Sequence, residues 1–161
     1  FDFRKGSRRR MKKRFLEMAR KCGQHVKELV LVGQYFQPTS GPRILAKTVV
    51  DGLQFMPNLV VLDVSMCFMG RDMTILEASL QFEHLQDVRV TLAVRPRTFP
   101  HDYSFEFTDS TMNTLVSLAV KTSLQLTFVG WNRPGDDVKE LLQRIRANAA
   151  HLRSLQVHND F

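Results

Sequence analysis

The chain has 161 residues, 43% apolar and 24% charged, and a formal net charge of +7. That composition excludes disordered, collagen-like and membrane chains, and a chain this long buries roughly 70% of its unfolded surface without a metal or disulfide framework. No apolar run approaches the roughly 20 residues of a membrane span, and the basic N-terminus lacks the apolar stretch of a secretory signal. Two cysteines and no N-x-S/T sequon point to a reducing, intracellular setting, cytoplasmic or nuclear.

Along the chain, the charge comes first. Residues 4–14 hold eight of the 23 basic residues and no acid, which leaves 15 bases against 16 acids elsewhere. The basic character is therefore local, in an arm over residues 1–14 that includes Arg8, Arg9, Arg10, Lys12, Lys13 and Arg14. Such a run serves as a nuclear-import signal, as a polyanion- or nucleic-acid-binding arm, or as a solvated lead-in. Met11, Phe15, Met18, Ala19 and Cys22 then fall at helical spacing, and Gly23 stands where a left-handed C-terminal cap is expected.

Val26, Leu29 and Leu31 follow with the spacing of a short strand, closing at Gln34. A second helix is predicted from Gly41-Pro42 through Ile44, Leu45, Val49 and Leu53, and a second strand in MPNLVVLDVSMC, with Leu59, Leu62, Val64 and a closing Cys67. Met73, Leu76 and Leu80 mark a third helix, and Leu85, Val88 and Val90 a third strand. After an interruption over 91–108, Met112, Leu115, Val116 and Ala119 mark a fourth helix with Thr108 or Asp109 as its N-cap. Leu124 and Leu126 mark a fourth strand, in which Lys121 takes the leading apolar place. A fifth helix over 136–148 has the stripe Val138, Leu141, Leu142 and Ile145 and acids at the positive end of its dipole; Leu152, Leu155 and Val157 complete a fifth strand.

The five strands repeat one spacing, L-x-x-L-x-L-x-x-N/C. Their second apolar positions fall at 29, 62, 88, 124 and 155, with periods of 33, 26, 36 and 31 residues. Residues two apart on a strand share a face, so the aliphatic ones enter a core and those between face solvent. A closing Cys carries an S–H that can serve backbone groups as the chain leaves the strand. Helices between strands meet the need of parallel strands for a long crossover. The fold class expected is α/β.

The order of a helix, then C-P-x-L-x-x-L-x-L-x-x-C, then a helix resembles the cysteine-containing leucine-rich repeats of F-box proteins. MPNLVVLDVSMC differs from that pattern mainly by Met56 at the leading cysteine, and RKCGQHVKELVLVGQ is similar with Cys22 one residue further upstream. The resemblance implies a leucine-rich-repeat solenoid of about five irregular repeats over residues 15–161, with parallel strands on the concave face and helices on the convex face. It also implies a protein–protein interaction module, the substrate-recognition part of an F-box type ubiquitin ligase receptor. No F-box is visible in the sequence, and a chain opening on Phe1 reads as a fragment of a larger protein.

On that architecture a protein partner is expected on the concave face, at Asp63, Ser65, Asp87, Arg89, Thr91, Gln125, Gln156 and His158, with Asp63 and Arg89 near enough to pair. Two loops add candidates: Arg95, Arg97, Phe99 and Tyr103 in the interruption, and Trp131 with Arg133 after the fourth strand. The last repeat ends without a capping element, so another chain or further repeats are expected over it. Catalytic chemistry has no foothold in the motifs. Phosphate loops, dinucleotide fingerprints and H-E-x-x-H are missing, the five histidines are scattered, and Cys22 and Cys67 stand apart, so neither metal nor cofactor is expected. The reading is a non-enzymatic interaction module; the alternatives are a structural subunit of a larger assembly and a polyanion- or RNA-associated protein.

Overall fold

The computed structural model describes residues 1–2, 7–32, 42–69, 73–93, 107–129 and 136–160. Five helices alternate with five strands: α1 (Arg8–Cys22), β1 (Glu28–Val32), α2 (Pro42–Leu53), β2 (Val61–Met69), α3 (Thr74–Ser79), β3 (Asp87–Ala93), α4 (Asp109–Lys121), β4 (Ser123–Val129), α5 (Asp136–Ala147) and β5 (Ser154–Asp160). The strands form one parallel sheet in chain order, β1-β2-β3-β4-β5. Its register is that of the sequence repeat: Leu29 pairs with Leu62, Leu62 with Val88, Val88 with Leu124, and Leu124 with Leu155. The carbonyls of Lys27, Val60 and Gln86, each just before a strand, accept from the N–H of Val60, Gln86 and Ser123 at 2.7, 2.8 and 2.7 Å. Three such bonds join the first four repeats at the start of their strands.

Burial follows the period of two. Leu29 and Leu31, Leu62 and Val64, Val88 and Val90, and Leu124 and Leu126 all join one buried cluster. The helices contribute Phe15, Val49, Leu53, Leu76, Leu115, Leu118, Leu141 and Ile145 to the same cluster, so all five lie on one face of the sheet. Fully burying each such side chain contributes roughly 1.5–3 kcal/mol, which makes this apolar face the main source of stability.

The helix ends obey local rules. At α4, Thr108 accepts from the Thr111 N–H at 3.2 Å while the Thr111 hydroxyl accepts from the Thr108 N–H at 2.9 Å, a reciprocal cap. Lys121, in the leading apolar place of the fourth repeat, turns its ammonium out to donate to the Leu80 carbonyl, and the buried Thr122 beside it donates to the Leu118 carbonyl at 2.7 Å.

Several expectations are corrected. Gly23 is right-handed helical (φ −57°, ψ −37°) and opens a short 3-10 turn over Gly23–His25, so it is not a left-handed cap. A Cβ there would collide with the carbonyl oxygen of Phe55, and the close approach of two backbones explains the glycine. Helix α1 runs unbroken through residues 14 and 15, because Arg and Lys are good helix formers and Met11 already anchors the helix in the core. The sheet is open and uncurled, so among the described residues its faces are a helix-covered and an uncovered one, not a convex and a concave one. Cys67 is buried but Cys22 is exposed, and both are free thiols.

Candidate interaction surface

The uncovered face carries the side chains between the aliphatic rungs, in aligned rows. One row reads Glu28, Val61, Asp87, Ser123, Ser154; the next reads Val30, Asp63, Arg89, Gln125, Gln156; Thr91, Thr127 and His158 begin a third. Strand spacing of about 4.8 Å sets neighbours in a row side by side. Arg89, Gln156 and His158 are exposed, and Ser65, Asp87 and Gln125 are half-buried. A shallow depression of about 150 Å³ opens among Asp87, Arg89, Ser123, Gln125 and Gln156. Hydroxyl, amide, carboxylate and guanidinium groups meet there, which suits hydrogen bonding to a polar surface.

Asp63 and Thr91 are buried, which corrects the expectation that both are displayed. The cause lies in β2. Val64 pairs with Val90, but Phe68 is the next residue to pair, with Thr91, so Ser65, Met66 and Cys67 form a bulge opposite β3. The Asp63 carboxylate holds the bulge. One oxygen accepts from the Ser65 N–H at 2.9 Å and from its hydroxyl at 2.6 Å, and the other accepts from Arg89 Nη1 at 3.2 Å. The predicted pair between Asp63 and Arg89 therefore exists, with Asp63 spent on local structure and Arg89 left 44% exposed as the charged group a partner can meet. At the end of the bulge, Cys67 donates through Sγ to the Leu31 carbonyl at 3.4 Å, the backbone role its closing position suggested. The bulge also leaves Met66 more than half exposed.

The loop candidates Arg95, Arg97, Phe99, Tyr103, Trp131 and Arg133 lie outside the described residues. The basic residues are placed on α1: Arg9, Arg10, Lys12, Lys13 and Arg14 are exposed, as are Arg20 and Lys21 further along. Arg8 begins the helix.

Two features escaped the sequence reading. A groove of about 680 Å³ lies between α2, α3 and the turns that follow them, lined by Val50, Leu53, Gln54, Asn58, Phe82 and His84 among others. Its origin is the brevity of α3, six residues against twelve in α2. The other is Phe55, 39% exposed just after α2, with the Arg20 guanidinium 5.7 Å from its ring centroid. An aromatic in a turn carries no periodic signal, so only the contact with Arg20 reveals it.

The last rung differs from the others. Leu155 is half-buried and Val157 is 42% exposed, whereas their counterparts Leu124 and Leu126 are buried. Among the described residues, no group of three or more His, Cys, Asp or Glu gathers to hold a metal ion, and no helix is long and apolar enough to cross a membrane. No family model, curated protein or solved structure matches the chain.

Proposed function

We propose that the chain is a non-enzymatic protein–protein interaction module of the leucine-rich-repeat solenoid type, working as the substrate-recognition part of an F-box type ubiquitin ligase receptor. The observation that carries the reading is the common register of Leu29, Leu62, Val88, Leu124 and Leu155, which, among the described residues, leaves one face of the sheet free of helices and lined by aligned polar side chains. Side chains on hydrogen-bonded strands are preorganised, so a partner docking on Arg89, Gln125 and Gln156 loses little ordering entropy. The test places a photo-crosslinking residue at Gln125 and, as a control, at the exposed Glu77 of α3. A discrete protein adduct from Gln125, absent with Arg89→Glu, is expected; adducts from Glu77 alone would refute the surface. Co-purification of a cullin with the full-length protein tests the ligase branch separately.

The exposed last rung supports a second reading, a subunit of a larger assembly in which a further strand covers β5. Val157→Lys should then abolish a higher-order species seen by sedimentation, and a wild-type protein monomeric at all concentrations would contradict it.

A further inference from the structure

We propose that α1 and Phe55 form a binding surface for single-stranded nucleic acid, independent of the uncovered sheet face. The first observation is charge. The helix α1 holds eight of the chain's 23 basic residues and one of its 16 acids, so the other 146 residues balance 15 bases with 15 acids. The whole net charge of +7 thus sits on one helix. Its buried side is taken by Met11, Phe15 and Ala19, so the cations occupy the solvent arc. From Arg9 to Lys21 that arc runs about 18 Å at 1.5 Å per residue. Glu17 is its single acid, 3.8 Å from Lys13. Arg9, Arg10, Lys12, Arg14 and Lys21 pair with no acid among the described residues.

The second observation is that the charges opening this arc oppose their own helix, while Arg20 and Lys21 at its far end suit the dipole. Arg9 and Arg10 lie in the first turn with no acid among them, and Ser7 makes no side-chain capping bond. Cations at the positive end of the dipole are unfavourable, and an anion relieves them. Dense arginine favours phosphate, whose oxygens match the guanidinium fork.

The third observation selects among polyanions. Phe55 is exposed where α1 ends, under Arg20, and is fixed in place: its N–H donates to the Gly52 carbonyl at 3.1 Å and its own carbonyl lies against Gly23. An exposed aromatic ring on a fixed backbone beside a cationic track is how single strands are held, with phosphates on the charges and a base on the ring. A duplex keeps its bases paired and cannot use Phe55. An anionic membrane is disfavoured because an interfacial helix needs a free apolar face, and that of α1 is inside the core.

The experiment measures anisotropy of short labelled oligo(U) and oligo(dT), a duplex of equal length, and anionic vesicles, between about 50 and 200 mM salt. Arg9→Gln/Arg10→Gln/Arg14→Gln should lower the magnitude of the log K against log[salt] slope for single strands by about 2, at roughly 0.7 per contact. Phe55→Ala should weaken single-strand binding by about 5- to 150-fold and leave the slope unchanged. Circular dichroism confirms that both variants are folded, and Lys139→Gln/Arg146→Gln on α5 should change neither quantity. Equal binding of the two oligonucleotides assigns recognition to phosphate and base, and tighter oligo(U) binding adds the 2′-hydroxyl. The proposal is overturned if the triple variant keeps the full slope, if Phe55→Ala binds single strands as well as the wild type, or if duplex or vesicles bind more tightly than single strands.

Discussion

The helices α1 and α5 close the two ends of the helical layer and differ in one respect. Each buries an apolar stripe, Met11, Phe15 and Ala19 in the first and Val138, Leu141 and Ile145 in the second. In α5 the charges follow the dipole: Asp136 and Asp137 open the helix, and Arg144 and Arg146 lie in its last turn. They also pair, Lys139 with Asp136 at 2.9 Å and Arg144 with both Glu140 and Asp109 at 2.6 Å. Those hydrogen bonds to Glu140 and Asp109 raise the Arg144 pKa above its ordinary value. In α1 the first-turn cations Arg9 and Arg10 oppose the dipole while Arg20 and Lys21 in the last turn follow it, and among the described residues only Lys13 of this helix finds a carboxylate, Glu17. Equal packing with opposite first turns teaches that the opening acids of α5 serve the fold, whereas Arg9 and Arg10 of α1 work against their own helix.

The comparison breaks first if the two stripes are not equally anchored. Phe15→Ala should cost about 3–5 kcal/mol and Leu141→Ala about 2–5 kcal/mol in urea denaturation. A loss below about 1 kcal/mol at Phe15 would mean that α1 is loosely docked and that its charges have no fixed geometry. Gly23→Ala comes next. The new methyl must displace the Phe55 carbonyl, so a loss of about 1–3 kcal/mol is expected, together with lower proteolytic resistance at the turn after α2. Unchanged stability would detach Phe55 from the end of α1. The smallest of the three effects is at Arg144, whose pairs lie at the surface. Arg144→Gln should lower the melting temperature slightly at low salt and leave it unchanged at high salt, which locates the contribution in screened ion pairs.

Much of the architecture is legible because each repeat carries the same local instructions. Aliphatic residues two apart at Leu62 and Val64, or Leu124 and Leu126, can be buried together only on a strand, and the stripe of α5 only on a helix. Proline at the first position of α2 and threonine before α4 mark helix starts through backbone chemistry that needs no tertiary context.

What was not legible depends on contacts between repeats. The bulge at Ser65, Met66 and Cys67 arises because β2 is longer than the strand it pairs with, and nothing within the repeat shows that the Asp63 carboxylate will be drawn in to hold it. Gly23 is explained by Phe55, 32 positions away, and the groove beside α3 by the unequal lengths of two helices. The arm over residues 1–14 looked separate because charge dominates it, yet Met11 alone suffices to carry the helix back to Arg8. Of the surface candidates, Arg89, Gln125, Gln156 and His158 lie where alternation puts them and reach the surface, whereas Asp63 and Thr91 hold their places in the rows but are buried beside the bulge.

The most direct test of the difference between the end helices is the change in unfolding free energy on reversing charge in their first turns. Arg9→Glu/Arg10→Glu should stabilise the protein by about 0.3–1 kcal/mol per residue at low salt, and Asp136→Lys/Asp137→Lys should destabilise it by a similar amount. Destabilisation by the α1 reversal would contradict the account, because it would show that those arginines hold the fold together and are not kept against it.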